Sequence, residues 1–260
     1  MDLRLDTGLS RSIRAMNFVC RCTLAMALVA SSAAGAQPPI DGDSSRWSFT
    51  ITPYLWAAGI DGSTAADGVE SEIDTGYSFF SLDNLDFALA TGVEARKGRW
   101  TVLLDGLYTE FSDAFDAPGS VSPEAEVSGG YFETSAAYPT ARLERLEVVF
   151  GMRYVALEST VQLTPTVGGS ARESWLDPLV GVRFQHEFND RWSVTLRGDV
   201  GGFGVSSDLA TNVSASFGYR LTDVMSLRFG YRALQLDFAD DEFVLDAITQ
   251  GYAVGVSFAL

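Results

Sequence analysis

Cysteine is almost missing from this sequence of 260 residues: only Cys20 and Cys22 are present, both near the amino terminus. Both precede a predicted export-cleavage site after Ala36. The mature chain is therefore expected to contain no thiol, no disulfide and no thiolate-bound metal. Neither cysteine directly follows a cleaved segment, so a lipid anchor at these positions is not expected.

Long apolar runs and basic residues are also scarce. After residue 36 no run approaches the roughly 18 apolar residues of a membrane-spanning helix. The chain has 18 Lys and Arg against 34 Asp and Glu, a net charge of −16, and removal of residues 1–36 makes it −18. Such an acidic surface repels the nucleic-acid backbone, so no nucleic-acid partner is expected.

The first 36 residues have the layout of a secretory signal peptide. Arg11, Arg14 and Arg21 precede a short apolar run at 23–30, and Ala34-Gly35-Ala36 forms an A-x-A cleavage site. We therefore divide the chain into a signal peptide (1–36), a short periplasmic amino-terminal segment (37–46) and a membrane domain (47–260). The mature chain would begin at Gln37.

The chain from residue 47 onward is rich in aromatic residues and glycine, and its apolar residues recur at every second position, as in β-strands. A membrane protein without membrane helices must close its strands into a barrel, because only then is every backbone polar group satisfied in lipid. We predict an all-β fold, a transmembrane antiparallel up-and-down β-barrel of about 10 strands, with 8 or 12 as alternatives. The predicted strands are 47–60, 85–95, 99–112, 127–139, 146–160, 174–188, 191–203, 208–220, 224–238 and 246–260.

The connections predict the orientation of this barrel. Tight turns at Arg96-Lys97-Gly98, Asn189-Asp190 and Thr222-Asp223 are assigned to the periplasmic end, where Trp100 and Trp192 would form an aromatic girdle. Longer excursions are assigned to the outside of the cell, at 61–84, 113–126, 161–173, 204–207 and 239–245.

The last predicted strand ends with the chain and alternates cleanly between apolar and small residues. It resembles the carboxy-terminal signal by which the barrel-assembly machinery recognises its substrates, with Phe258 two positions before the final Leu260. The expected partners are therefore that machinery, outer-membrane lipid and lipopolysaccharide.

If the more apolar parity faces lipid, the opposite parity places charged side chains in the lumen, which argues against a soluble barrel. Asp86, Glu94 and Asp105 share this inward parity. The predicted lumen charge network comprises Glu133, Glu147, Arg153, Asp177, Arg183, Arg197, Asp199, Arg228 and Arg232.

A Gly-x-Arg unit recurs four times, as Gly151/Arg153, Gly181/Arg183, Gly218/Arg220 and Gly230/Arg232. Residues two apart on a strand share a face, so each glycine is expected to clear space beside an inward guanidinium. We expect the arginines to pair with inward carboxylates, because an unpaired buried charge is costly. This network forms either a salt-bridged plug, which we favour, or a constriction that selects ions.

Histidine occurs once, as His186. The usual hydrolytic chemistry of outer-membrane enzymes needs a histidine base, and strand alternation places His186 on the lipid side near the periplasmic end. We therefore expect no enzyme activity, no catalytic residue and no cofactor. Catalysis by carboxylates alone, for example Asp240 and Asp241, stays open at this point.

The predicted outer loops carry many carboxylates and only one base, Arg172. Like charges on loops repel each other at low ionic strength, and oxygen ligands suit Ca²⁺ or Mg²⁺. The sequence leaves two alternatives open: a solvated acidic surface, which already explains the composition and which we favour, and binding of Ca²⁺ or Mg²⁺ by these carboxylates. The acidic residues are Asp61, Asp67, Glu70, Glu72, Asp74, Asp83, Asp113, Asp116, Glu124, Glu126, Asp240, Asp241 and Glu242.

Five stretches of the chain resemble a family of small proteobacterial outer-membrane β-barrel proteins. The resemblance covers nearly all of the mature chain and implies the fold and the location, but no catalytic residues. It also implies a barrel without the periplasmic domain found in the two-domain outer-membrane protein A type. The stretches are Pro53-Tyr54-Leu55-Trp56, Leu82-Asp83-Asn84-Leu85-Asp86-Phe87, Glu94-Ala95-Arg96-Lys97-Gly98-Arg99-Trp100, Asp177-Pro178-Leu179-Val180-Gly181 and Gly198-Asp199-Val200-Gly201-Gly202-Phe203.

Three functions remain open on the sequence. The first is a structural or surface-interaction barrel, the second a narrow channel for small solutes, and the third an outer-membrane enzyme.

Overall fold

The structure is a computed structural model that describes residues 46–66, 69–74, 85–114, 124–164, 167–240 and 243–260. The predicted signal peptide and nearly all of the segment 37–46 lie outside these residues. No helix in the described residues is long and apolar enough to cross a membrane.

The described chain consists of antiparallel strands joined in sequence order, and β11 pairs with β1 to close the sheet. Strand β2 pairs only with residues 61–66 of β1, so the closed ring contains ten strands. The predicted all-β, up-and-down barrel of ten strands is thus confirmed. The strands are β1 (Ser48–Ala66), β2 (Val69–Asp74), β3 (Leu85–Lys97), β4 (Trp100–Ala114), β5 (Glu124–Pro139), β6 (Leu146–Thr164), β7 (Val167–Glu187), β8 (Trp192–Gly202), β9 (Leu209–Arg220), β10 (Met225–Ala239) and β11 (Phe243–Ala259).

The barrel has two different ends. One end, which we call the turn end, contains the start of β1 and the end of β11. It also contains the connections 98–99, 140–145, 188–191 and 221–224. Short polar side chains close these turns: Asn189 Oδ1 accepts the backbone N–H groups of Arg191 and Trp192, both at 2.9 Å, as such residues commonly do in turns. We call the opposite end, where β1 and β2, β6 and β7, and β10 and β11 are joined, the loop end.

At the loop end the strands extend further than the sequence predicts. β6 continues to Thr164 and β7 begins at Val167, so most of the predicted loop 161–173 is strand. The connection between β8 and β9 lies much closer to the turn end than the other loop-end connections, because β7 pairs with β8 only from Leu179 onward. We call it the low turn. This low turn uses left-handed backbone at Gly202 (φ +85°), Phe203 (φ +54°) and Gly204 (φ +69°).

The two faces of the barrel wall differ in polarity as a membrane barrel requires. Trp100 is 50% exposed on the outside, whereas Asp105 on the same strand accepts a hydrogen bond from Tyr54 inside. Large apolar side chains that are exposed cover the outer surface: Leu55, Phe132, Phe150, Met152, Tyr154, Leu176, Val180, Phe217, Leu227, Phe229, Tyr252, Val254 and Phe258. A closed sheet with an apolar exterior and a charged interior spans a membrane.

Aromatic side chains mark the turn end of this apolar surface. Trp100 packs on Tyr138, with ring centroids 4.8 Å apart, and Trp192 packs on Tyr219 at 4.9 Å. Lys97 lies 5.7 Å from the centroid of the Trp47 ring. This is the predicted interfacial girdle, which holds amphipathic rings at the membrane surface.

Candidate functional site

The candidate site is the barrel interior, where inward-facing side chains of all ten ring strands meet. Four of its charged residues, Arg153, Arg197, Glu133 and Asp199, form a group that we call the middle quartet. Arg153 donates from Nη2 to Glu133 Oε2 at 2.8 Å and to Asp199 Oδ1 at 2.6 Å. Arg197 donates to Asp199 Oδ2 at 2.9 Å and also bonds Glu133. Each arginine therefore bridges both carboxylates, and the Arg153 side chain has no exposed surface.

A second set of four, Arg96, Arg183, Glu94 and Glu147, repeats this pattern closer to the turn end, and we call it the turn-end quartet. Arg183 donates from Nε to Glu147 Oε2 at 2.6 Å and from Nη1 to Glu94 Oε2 at 2.8 Å. Arg96 donates to Glu94 at 3.0 Å and lies 3.6 Å from Glu147. Again two arginines each face both of two carboxylates.

A third group surrounds Arg232 on β10. Its Nη1 donates to Asp105 Oδ2 at 2.8 Å, and the hydroxyls of Tyr54 and Tyr131 donate to the same carboxylate at 2.8 and 2.6 Å. The guanidinium carbon also lies 5.4 Å from the centroid of the Trp56 ring. Contacts of this kind stabilise a cation that has lost its water.

One amide joins this group to the middle quartet. Asn212 accepts from Arg232 Nε at 2.8 Å and donates to Asp199 Oδ2 at 2.8 Å. The resulting network crosses the lumen from β6 and β8 to β10, β4 and β1. In a low-dielectric interior such charges are tolerated only when they are mutually hydrogen-bonded, and in these groups arginines and carboxylates are equal in number.

Two residues of the predicted network do not join these ion pairs. Asp177 lies beside Arg153 in the strand register, yet its bonds come from neutral donors: Trp175 Nε1 at 3.0 Å, Ser207 N at 2.9 Å and Ser207 Oγ at 2.5 Å. The predicted arginine partner of Asp177 is thus wrong within the described residues, because Arg153 reaches Glu133 and Asp199 instead.

Arg228 is the second exception. It donates to Ser257 Oγ at 3.2 Å and to Thr195 Oγ1 at 3.4 Å. Within the described part of the chain no carboxylate forms a salt bridge with it. The sequence predicts a carboxylate partner here, and the structure provides hydroxyl groups because the nearby inward residues of β8, β9 and β11 are small or neutral.

The loop-end half of the lumen is apolar, which the strand alternation did not predict. Trp175 stacks on Phe238 with ring centroids 4.2 Å apart and an interplanar angle of 15°. Both belong to one buried cluster: Trp56, Tyr131, Val155, Trp175, Ala210, Leu234, Leu236, Phe238, Phe243, Leu245 and Ala247. On the outside the wall changes from apolar to charged: Glu158 and Arg172 form an exposed ion pair beyond the apolar surface of β6 and β7.

The sequence contains a signal for this change. Along β10 the inward parity reads Arg228 and Arg232 and then Leu234, Leu236 and Phe238. In the lipid layer the outer face of the wall must be apolar, whereas in water the inner face must be apolar. A strand whose inner face changes from charged to apolar therefore passes from lipid into water at that point.

The glycines of the Gly-x-Arg units make room for the backbone of a neighbouring strand rather than for the guanidinium of the same unit. A Cβ added to Gly151 would lie 2.2 Å from the carbonyl oxygen of Thr134, and one added to Gly181 would lie 2.3 Å from that of Gly198. These glycines therefore allow neighbouring strands to approach closely. A Cβ added to Gly218 would lie 2.5 Å from Ser193 Oγ, whereas Arg228 Cζ on the neighbouring strand would be at an ordinary contact distance of 3.7 Å.

The remaining candidates lie apart from the lumen network. His186 packs against Phe188, with ring centroids 5.0 Å apart, near the turn end. No group of three or more His, Cys, Asp and Glu side chains in the described residues is arranged to hold a metal ion. Most of the acidic residues considered as ligands for divalent cations have side chains that lie outside the described residues.

No protein-family model matches this chain, and no curated protein matches it. Among solved structures, the attachment invasion locus protein Ail of Yersinia pestis, in complex with the heparin analogue sucrose octasulfate, is 8% identical with a TM-score of 0.42, over 83% of this chain and 99% of Ail. The transport unit of the autotransporter AIDA-I from Escherichia coli is 8% identical with a TM-score of 0.41, over 91% of this chain and 97% of that unit. The outer membrane protein AlkL is 12% identical with a TM-score of 0.37, over 88% of this chain and 97% of AlkL.

These similarities are too low to bear on what this chain binds or does. The closed ring of strands, the apolar exterior and the charged interior are features of the chain itself. They are those of a β-barrel protein of the bacterial outer membrane.

Proposed function

We propose that this outer-membrane barrel is a plugged, non-conducting scaffold that presents its loop end outside the cell for contact with lipopolysaccharide or other surfaces. The middle quartet is the observation that supports this most directly. Arg153 has no exposed side-chain surface, and it bonds Glu133 and Asp199 across the lumen.

Two successive layers would oppose an ion that enters the lumen. The first is the neutral network of the middle quartet and the Arg232 group, whose hydrogen bonds an ion would have to replace. The second is the apolar cluster around Trp175 and Phe238, where an ion would lose its water without gaining a partner. A barrel of ten strands is also narrow enough for side chains to fill it.

The turn end is assigned to the periplasm and the loop end to the outside. Both strand termini of the barrel lie at the turn end, as expected for barrels with short periplasmic turns. β6 and β7 extend beyond the apolar exterior, so they would project above the lipid surface. In this proposal β11 is also the strand that the barrel-assembly machinery recognises, and no residue has a catalytic role.

Single-channel recording of the refolded protein in planar lipid bilayers tests the plug. We expect no stable conductance steps under conditions in which a porin reconstituted in parallel conducts. Heat-modifiable migration in detergent gels confirms that the recorded sample is folded. Reproducible conductance from folded protein would contradict the proposal and favour the narrow channel.

A further inference from the structure

Arg228 is an inward-facing arginine that joins none of the ion pairs in the described residues, just as Asp177 is a carboxylate that joins none and is bonded by neutral donors. The two quartets and the Arg232–Asp105 pair contain equal numbers of arginines and carboxylates. Arg228 lies at the turn-end half of the lumen, on the wall formed by β8 to β11. Its described hydrogen bonds go only to the hydroxyls of Ser257 and Thr195.

The wall around this guanidinium consists of small residues. Gly218 on one neighbouring strand and Gly255 on the other are the register partners of Arg228. Ser257 in turn shares a hydrogen bond of 2.8 Å with Thr52. The side chain thus lies between two glycine register partners and bonds two hydroxyl groups.

Arg228 also borders two cavities. The larger, of about 240 Å³, lies on the side of Arg232 and is also lined by Ser214, Ser216 and Thr52. The smaller, of about 100 Å³, lies at the turn end and is also lined by the hydroxyls of Ser193 and Ser226 and by charged residues of both signs, Glu187, Asp190, Arg191 and Arg220. Glu187 is paired with Arg220 at 3.4 Å. Each cavity is far larger than the roughly 10–15 Å³ needed to hold one water molecule. The guanidinium therefore stands between a space that leads to the turn end and a space deeper in the lumen.

We propose that Arg228 is the centre of a binding site for a small anion, such as inorganic phosphate or a short carboxylate, reached from the turn end of the barrel. A guanidinium presents several N–H donors in a plane and binds oxyanions through paired hydrogen bonds. Hydroxyl groups supply the additional donors that an oxyanion needs. Glu94 of the turn-end quartet attracts Arg228 electrostatically, but Glu94 and Glu147 are each bound by both Arg96 and Arg183 and form no described salt bridge with Arg228.

The site lies on the turn-end side of the plug. The cavity ends at Tyr54, Asp105 and Arg232, which are bonded to one another. An anion would therefore enter and leave by the same end, so binding would not require conduction. Phosphate binding and conductance therefore test two separate proposals. Conductance would contradict the plug, whereas absence of phosphate binding would contradict the anion site.

Titration of the refolded protein with inorganic phosphate tests the site. The protein is held in a neutral detergent without phospholipid, so that the phosphate comes from solution, and sodium chloride keeps the ionic strength constant. Binding is followed by calorimetry and by the line width of the phosphorus resonance. We expect saturable binding by the unaltered protein and at least a tenfold loss of affinity in Arg228→Gln.

The matched control is Arg142→Gln, which removes the same charge from an exposed turn at the same end of the barrel. It should bind phosphate as the unaltered protein does. A second variant, Ser216→Leu, fills the larger cavity while leaving Arg228 in place, and it should also weaken binding. Heat-modifiable migration shows that each variant is folded. Absence of saturable binding in the unaltered protein, or equal binding by folded Arg228→Gln, would overturn the proposal.

Discussion

Arg153 on β6 and Asp199 on β8 are bonded at 2.6 Å although their strands are not neighbours in the sheet. Neither side chain has exposed surface. The bond therefore passes over the inner face of β7 and connects parts of the wall that the backbone ladder joins only through a third strand.

The first prediction concerns the loss of this arginine. Arg153→Ala leaves Glu133 and Asp199 sharing only Arg197 in a dry site, so the free energy of unfolding should fall by about 3–5 kcal/mol. Urea unfolding of the refolded protein in lipid vesicles measures it. Arg172→Ala removes an arginine whose side chain is 75% exposed in its ion pair, and it should leave the free energy of unfolding nearly unchanged, because water screens such exposed pairs. Equal effects of the two changes would mean that the middle quartet is wet.

The second prediction restores charge balance in the middle quartet. Arg153→Met combined with Asp199→Asn leaves one arginine, Arg197, with one carboxylate, Glu133. The double variant should be more stable than the sum of the two single variants implies, by about 0.5–3 kcal/mol, which is the range of coupling for residues in contact. A double-mutant cycle in the same unfolding assay measures this coupling. Strict additivity would show that the four charges do not act as a unit.

The third prediction concerns Asp177, which ties the low turn between β8 and β9 to the wall. Its carboxylate accepts two bonds from Ser207 and one from Trp175. Asp177→Asn replaces one acceptor oxygen with a donor, so the turn should loosen at a cost of about 1–3 kcal/mol. Limited proteolysis should then cleave within 203–208. Asp208→Asn, a change at an exposed position of the same turn, serves as the control and should leave the cleavage rate unchanged.

Strand alternation predicts a closed ring of about ten strands, with 8 or 12 as alternatives, and the inward face of each strand in the membrane layer. Trp100 outside and Asp105 inside follow from a period of two alone. Alternation does not give the height of a residue relative to strands elsewhere in the ring. For that reason the sequence predicts that Arg153 faces carboxylates, but not that its partners are Glu133 and Asp199 rather than Asp177.

The apolar loop-end cluster escapes prediction for a different physical reason. Alternation assigns one parity to lipid along each whole strand, whereas the strands continue beyond the lipid and exchange their faces there. On that assumption the inward face of β10 is expected to be polar along its whole length, although it is apolar at Leu234, Leu236 and Phe238. The same assumption makes the predicted outer loops too long, because residues such as those at 161–164 do not fit the lipid-facing pattern.

The fourth prediction concerns the acidic residues assigned to the outer loops. Mutual repulsion of carboxylates should be relieved by divalent cations, which prefer oxygen ligands. If these carboxylates bind cations, millimolar calcium should therefore slow proteolysis of the predicted outer segments, for example 75–84 and 115–123, and produce a binding signal in calorimetry. Sodium chloride at matched ionic strength is the control. If calcium changes neither measurement, the acidic segments are solvated and bind no cation.

The fifth prediction concerns the stack of Trp175 on Phe238, which joins β7 to β10 across the low turn between β8 and β9. Both rings are buried, at 5% and 7% exposure, so Trp175→Ala or Phe238→Ala should each lower the free energy of unfolding by about 3–5 kcal/mol. The double variant should lose less than the sum, by about 0.5–1.5 kcal/mol, because the two rings interact beyond their separate burial. Phe203→Ala is the control, since Phe203 is 56% exposed at the neighbouring turn and should matter little.

Proteolysis of the Trp175 and Phe238 variants should show which part of the barrel opens. Cleavage confined to the loop end would mean that the apolar cluster stabilises the projecting strands independently of the two quartets. Cleavage at the turns 140–145 and 188–191 as well would show instead that the two layers of the plug unfold together.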